Sequence, residues 1–194
     1  NNMKNSVGIT RNYQMWYMLG RALFGAFVSV VVEIVVFINF FDVEVVRNII
    51  GFVVSLVYGC ILYTGAAKLG RLDAKPYTSL KVEVWRPLIW GGVLALINAL
   101  FLVVYKINWA HIPVGEELPS LMSVIINGIF YFWNAPYMGF IYGNTGGYIS
   151  LAVIIGMILL PIVACFLGYM AGSKNMFVLD KVNDFMFEKT DSEE

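Results

Sequence analysis

Four stretches of the chain are apolar almost without interruption: Ala22 to Phe41, Ile49 to Ala67, Pro87 to Tyr105 and Tyr148 to Ala171. Each supplies the roughly 20 residues a helix needs to cross a hydrocarbon core of about 30 Å. The pattern predicts an all-α integral membrane protein. Residues 1–172 form a four-transmembrane-helix bundle with spans near 22–41, 49–67, 87–105 and 148–171, and residues 173–194 form a tail. The first run lies behind Lys4, Arg11 and Arg21 with no cleavage pattern after it, so it reads as an uncleaved signal anchor.

A fifth run, Leu121 to Tyr142, is long enough to span but is patterned differently. Ser120, Ser123, Asn127, Tyr131 and Asn134 are spaced to form one polar stripe on a helix, and the rest of that helix is apolar. Such a helix either lies in the interface with its stripe to water or packs the stripe against a bundle. Pro136 disfavours helical backbone at Ala135 and supplies a stop. A fifth crossing would also carry the lysine-bearing C-terminal segment outside. The expectation is therefore a lateral helix over 120–134 along the outer surface, with residues 134–147 looping back to the last span. In "GNTGG", Asn144 or Thr145 is placed to cap that span. In the tail, Phe177, Val178, Val182, Phe185 and Met186 lie near one helical face, with Asp180, Lys181, Asp184 and Lys189 elsewhere, predicting a cytoplasmic amphipathic helix followed by a disordered "TDSEE".

Inside a bilayer, helices associate through close packing rather than exclusion of water, so small residues are informative. Gly51, Ser55 and Gly59 recur every four residues in the second span; Gly91, Ala95 and Ala99 do so in the third; Ala164, Gly168 and Gly172 do so in the fourth. The first carries Ala22, Gly25, Ala26 and Ser29. These faces serve either packing within the chain or packing on another subunit.

Composition agrees with the pattern: 59% of the 194 residues are hydrophobic and 13% charged, against about 25% charged in soluble domains, and mean hydropathy is +0.74. A net charge of zero offers no basic excess for nucleic acid. The distribution of charge matters more. Lys68, Arg71, Lys75, Lys81 and Arg86 fall between the second and third runs, whereas the other connections are poor in Lys and Arg. The positive-inside rule then sets both termini on the cytoplasmic side of the plasma membrane, with Trp16, Trp85 and Trp90 at the inner interface and Trp109 and Trp133 at the outer one.

Within this frame one acid lies deep in a span. Glu33, Tyr58, Asn98 and Pro161 fall at similar depths when counted from the inner ends, which predicts a midplane polar layer serving as an ion or proton site. Pro161 cannot donate to the carbonyl of Met157, leaving an acceptor for a protonated Glu33 or a hydroxyl. The alternative is a neutral Glu33 that holds the bundle in register. Arg21 is expected to snorkel to headgroups. Cys60 and Cys165 read as buried thiols, and a single histidine, His111, excludes any site needing two. His111, Glu116 and Glu117 read as solvated loop residues. No phosphate loop, nucleophile elbow or acidic metal motif is present, so no metal, cofactor or catalysis is expected; Cys165 is the one conceivable nucleophile and lacks a histidine on its side.

In "CILYTGAAKLGRLDAKPYTSLKVEVWRPLIWGG" and "FLGYMAGSKNMFVLDKV", a span runs into a Gly70-Arg71-x-Asp73 turn and a basic loop, and the last span closes on Gly168-Tyr169 and Gly172-x-Lys174. On these residues the chain resembles small polytopic membrane proteins of Gram-positive bacteria, and the resemblance implies membrane topology alone. The expected function is a non-catalytic membrane subunit or assembly partner of a larger complex, touching the bilayer and other subunits or further copies of itself. Arg71, Lys75, Lys81, Tyr131, Trp133, Phe177 and Phe185 are the expected lipid or partner contacts. The competing expectation is a component of a small-solute or ion transporter or channel lined by Glu33, Tyr58 and Asn98.

Overall fold

The structure, a computed structural model, describes residues 11–40, 44–75, 82–110, 121–141 and 149–174. Among these residues the chain is all-helical and contains no strand. Four long helices, α1 (Arg11–Phe40), α2 (Glu44–Asp73), α3 (Trp85–Ala110) and α6 (Leu151–Ser173), are each long and apolar enough to cross a membrane. Between α3 and α6 lie α4 (Leu121–Trp133), a 3-10 turn (Ala135–Tyr137) and the short α5 (Met138–Ile141). The expected tail helix with Phe177 and Phe185, the "TDSEE" terminus, Lys81, the side chain of Trp109, the His111–Glu117 stretch, and Asn144 and Thr145 lie outside the described residues.

α1, α2 and α3 exceed their apolar runs, and α1 begins at Arg11 rather than near Ala22. Their extra turns are polar yet ordered because they meet one another, as Gln14 of α1 meets Asp73 of α2. α6 starts later than Tyr148: the Ser150 hydroxyl accepts from the Val153 N–H at 3.4 Å, so Ser150 is its N-cap in place of the expected Asn144 or Thr145.

Contact positions give the helix directions. Moving along α2, Tyr58 meets Gly25, Gly65 meets Arg21 and Asp73 meets Gln14, so α1 and α2 are antiparallel. Gly59 meets Leu160, and Gly168 and Gly172 abut the backbone of Tyr63 and Ala67, so α2 and α6 run parallel as neighbours. Asn98 bonds to Met157 while Trp90 packs on Tyr169, making α3 and α6 antiparallel. The start of α1 and the end of α6 therefore share one end of the bundle, the end that holds Asp73.

Most small residues of these recurrences pack inside the chain. A Cβ on Gly91 would lie 2.5 Å from the Ile162 Cα and 3.0 Å from the Pro161 carbonyl oxygen, and one on Gly51 would lie 2.9 Å from the Gly139 Cα. Gly168 and Gly172 sit directly against carbonyls of α2, and Ala95 and Ala164 are buried. Ala22, Gly25, Ala26 and Ser29 form the buried face of α1, and Ala99 is half-buried. Large apolar side chains such as Phe24, Leu96, Val103 and Leu167 are exposed on the bundle surface, compatible with helices apolar enough to cross a membrane.

The segment after α3 departs most from expectation. α4 has the predicted extent, but it is not a helix lying along the outer face. Ser123 and Asn134 of its polar stripe are buried, Asn127 and Tyr131 are half-buried, and Met122, Val124, Ile125 and Ile129 point outward. Phe130 stacks on Tyr105 at 4.1 Å between centroids, and Trp133 packs on Phe101 at 5.9 Å. The chain thus descends along α3, turns at Asn134–Tyr137, and climbs along α2 from Ser55 to Gly51. It is a hairpin inserted from the end opposite Asp73. Ser55 lies eleven residues from Glu44, so the tip reaches about 16 Å into the bundle. Of the stripe, the Tyr131 hydroxyl lies 3.5 Å from that of Tyr105 on α3 and Asn134 bonds within the hairpin, while the apolar face stays outward.

Candidate functional site

The hairpin tip is where Asn-Ala-Pro interrupts the helix, and backbone freed there has to be satisfied at depth. Asn134 does part of this locally: its N–H and its side-chain amide donate to the Phe130 carbonyl at 2.9 and 3.1 Å, and its own carbonyl accepts from the Tyr137 N–H at 2.9 Å. The Ser55 hydroxyl donates to the Pro136 carbonyl at 2.6 Å, tying the tip to α2. On the other side the Trp133 indole N–H donates to Asn98 Oδ1 at 2.6 Å, and the Asn98 amide donates to the Met157 carbonyl at 2.7 Å.

The last bond resolves one expectation. The Met157 carbonyl, unbonded by the ring of Pro161, does take a side-chain donor, but the donor is Asn98 and not Glu33. Trp133 therefore reads the polar layer rather than marking an outer interface. Trp133→Phe is expected to leave the buried Asn98 oxygen without its donor and cost about 1–3 kcal/mol. Thermal unfolding in detergent measures this, and an unchanged midpoint would refute the link.

The expected layer does not close as one cluster. Tyr58 faces Gly25 and packs edge-on against Tyr137 with centroids 6.2 Å apart. Gly25 lies eight residues from Glu33 on α1, about 12 Å along the helix, so Tyr58 is not a neighbour of Glu33. Pro161 abuts Gly91.

Glu33 instead meets the hairpin. It is 5% exposed, and its carboxyl faces the Gly139 backbone N–H, yet neither oxygen completes a hydrogen bond. It borders a groove of about 280 Å³ between α1 and the hairpin, with Val30, Ile34, Gly128, Tyr131, Phe132, Ala135 and Met138. Among the described residues no basic side chain lines this groove. Tyr131, expected as a lipid or partner contact, holds its hydroxyl 3.5 Å from that of Tyr105. A second groove of about 500 Å³ opens on the other side of the hairpin among Phe52, Leu56, Phe140, Gly156 and Leu160, with the buried, unbonded hydroxyl of Tyr137 in its wall. The hairpin thus separates two apolar grooves, one bordered by Glu33 and the other by Tyr137.

At the opposite end, a cluster that the spacing did not reveal joins all four long helices. Asp73 of α2 accepts from the Gln14 amide of α1 at 2.8 Å, the Arg86 guanidinium of α3 at 2.6 Å and the Tyr169 hydroxyl of α6 at 2.9 Å. Arg86 also pairs with Glu83 at 3.3 Å, and Trp90 packs edge-on against Tyr169. Trp90 is 3% exposed, so of the three expected inner tryptophans only Trp16 and Trp85 lie outward. Asp73, Arg86 and Tyr169 come from the two segments that carry the resemblance, and Arg86 belongs to the basic connection between the second and third runs, but nothing in the spacing joined them to one another or to Gln14.

Arg71 is half-buried and Lys75 exposed. The Arg21 guanidinium lies 5.7 Å over the Tyr17 ring rather than near Glu33. Of the two thiols, Cys165 is buried as expected, whereas Cys60 is exposed on the bundle surface. Among the described residues no group of three or more His, Cys, Asp or Glu is placed to hold a metal ion. Comparison with protein-family models, with curated proteins and with solved structures returns no match to the chain.

Proposed function

We propose that this protein is a membrane-embedded component that handles a small solute or ion, with Glu33 beneath the inserted hairpin as its working group. The observation that carries the reading is the Glu33 carboxyl, buried beside a groove and facing the Gly139 backbone N–H without completing a hydrogen bond. An ionisable group inside a membrane is costly, and a purely structural acid is expected to be tied to a partner. Interrupted helices at depth support the same reading, since membrane proteins tolerate them where backbone is buried or lines a cavity, and transporters build binding sites there. The Asp73 end, with Lys68, Arg71 and Lys75, faces the cytoplasm of the plasma membrane on the positive-inside count, and the hairpin enters from outside.

Four spans are few for a complete transporter, so the component works with further subunits or copies. The assembly-partner reading keeps one specific support. A Cβ on Gly92 or Gly156 would meet nothing within 4 Å, leaving small-residue surface not spent within the chain. Mild-detergent purification from the host that returned only a free monomer, with no reproducible crosslinked neighbour, would end that reading.

The direct test is flux. In proteoliposomes carrying the native assembly, Glu33→Gln is expected to abolish ion- or proton-coupled flux and its pH dependence while the protein remains folded. Flux with unchanged pH dependence in Glu33→Gln would overturn the role of Glu33.

A further inference from the structure

We propose that the groove between α1 and the hairpin binds a small organic amine, held as an ammonium on the Glu33 carboxylate with its apolar body against the groove wall. The inference rests on the reading of Glu33 as the working group and names the ligand class of that site.

The lining chooses the class. A hard metal cation needs about six or more oxygen ligands, or keeps several waters. The lining of this groove holds one acidic residue, Glu33, and one hydroxyl-bearing residue, Tyr131, among otherwise apolar residues. An anion would face Glu33 with no basic residue in the described lining to offset the repulsion. A neutral apolar molecule would leave the Glu33 oxygens as they are, buried and unbonded. An amine satisfies the site: its N–H groups donate to the carboxyl, Val30, Ile34 and Met138 cover hydrocarbon, and the Tyr131 and Phe132 rings are of the type that attracts a cation. The volume of about 280 Å³ lies near the lower bound of ligand pockets, about 300 Å³, so the amine is small.

Charge also balances. A neutral amine arriving at the neutral acid takes its proton: the Glu33 O–H bond breaks, an N–H bond forms on the amine, and the resulting ammonium–carboxylate pair has the same zero net charge as the two neutral reactants. No ion has to be carried uncompensated into hydrocarbon, which is the step that burial penalises most.

The test is equilibrium dialysis of tritiated cyclohexylamine against the full chain in lipid nanodiscs, with empty nanodiscs as the blank. Saturable binding is expected, displaced by unlabelled cyclohexylamine and not by the neutral isostere cyclohexanol or by sodium or calcium chloride. Glu33→Gln is expected to weaken it by about tenfold or more, the loss of one charge-assisted hydrogen bond. Gly128 borders the groove with nothing within 4 Å of a Cβ position, so a larger side chain can start there, and Gly128→Leu is expected to narrow the groove and do the same. Gly20→Leu, equally unobstructed but remote, keeps wild-type binding. Non-saturable uptake equal to the blank, displacement by cyclohexanol as effective as by the amine, or wild-type binding in both Glu33→Gln and Gly128→Leu overturns the proposal. The two readings separate cleanly. Glu33-dependent flux without saturable amine binding overturns the ligand class and retains the transport role, whereas amine binding without such flux retains the site and overturns the transport role.

Discussion

Gly168→Leu is expected to drive α2 and α6 apart and to yield a protein that is no longer monodisperse in detergent. A Cβ at Gly168 meets the backbone of Tyr63, including its carbonyl oxygen, and one at Gly172 meets the same groups of Ala67. Overpacking a core typically costs about 1–3 kcal/mol when side chains can rotate away. Here the obstacle is helix backbone, which cannot, so the cost is expected to reach about 3 kcal/mol or more, a fall in Tm of roughly 10 °C for a chain of this size. Gly20→Leu places the same side chain where nothing lies within 4 Å and is expected to leave Tm nearly unchanged. If Gly168→Leu matched Gly20→Leu, α2 and α6 would not be packed as parallel neighbours through this face.

Asp73→Ala is expected to be comparably severe, for an electrostatic reason. The side chains of Asp73 and Arg86 are 2% and 6% exposed, and Asp73 also receives Gln14 and Tyr169. Removing one partner of a buried pair typically costs about 3–5 kcal/mol, because the remaining charge stays desolvated. Glu83, 3.3 Å from the Arg86 guanidinium but 40% exposed in its side chain, offsets part of this and places the loss toward the lower figure. The distinguishing measurement is a double-mutant cycle. Asp73→Ala with Arg86→Met is expected to be more stable than Asp73→Ala alone, since the stranded charge is gone. A double variant less stable than the single one would show that Arg86 contributes mainly through its packing.

Much of the architecture was legible because hydropathy is a property of the chain itself. Four runs long enough to cross hydrocarbon specify four long helices whatever they pack against, and α1, α2, α3 and α6 coincide with most of each run. The four-residue recurrence of Gly51, Ser55 and Gly59, and of Ala164, Gly168 and Gly172, marked faces where backbones approach, and these residues meet another element directly or are buried against one. Pro136 marked the neighbourhood of the α4 end: the α-helix stops at Trp133 and Ala135, before the proline, opens a 3-10 turn.

Which polar group meets which was not legible. Depth counted along single helices aligned Glu33, Tyr58, Asn98 and Pro161, but a helix turns about 100° per residue, so equal depth leaves the facing direction open. Packing resolved it: Asn98 took the Met157 carbonyl, Tyr58 took Gly25 and Tyr137, and Glu33 was left to the hairpin. The polar stripe of α4 was visible in the sequence, yet water and a polar protein surface satisfy such a stripe equally well, and only the neighbouring helices directed it inward. Likewise Gln14, Asp73, Arg86 and Tyr169 sit at ends of apolar runs where each alone reads as an interface residue. The sequence by itself determined how many helices are long enough to cross a membrane, where they break and which faces are smooth, because those depend on local composition and period. The tertiary structure alone decided the Asp73 cluster, the depth of the hairpin and the unbonded carboxyl of Glu33, because each is a contact between segments far apart in the chain, and such contacts follow from packing rather than from spacing.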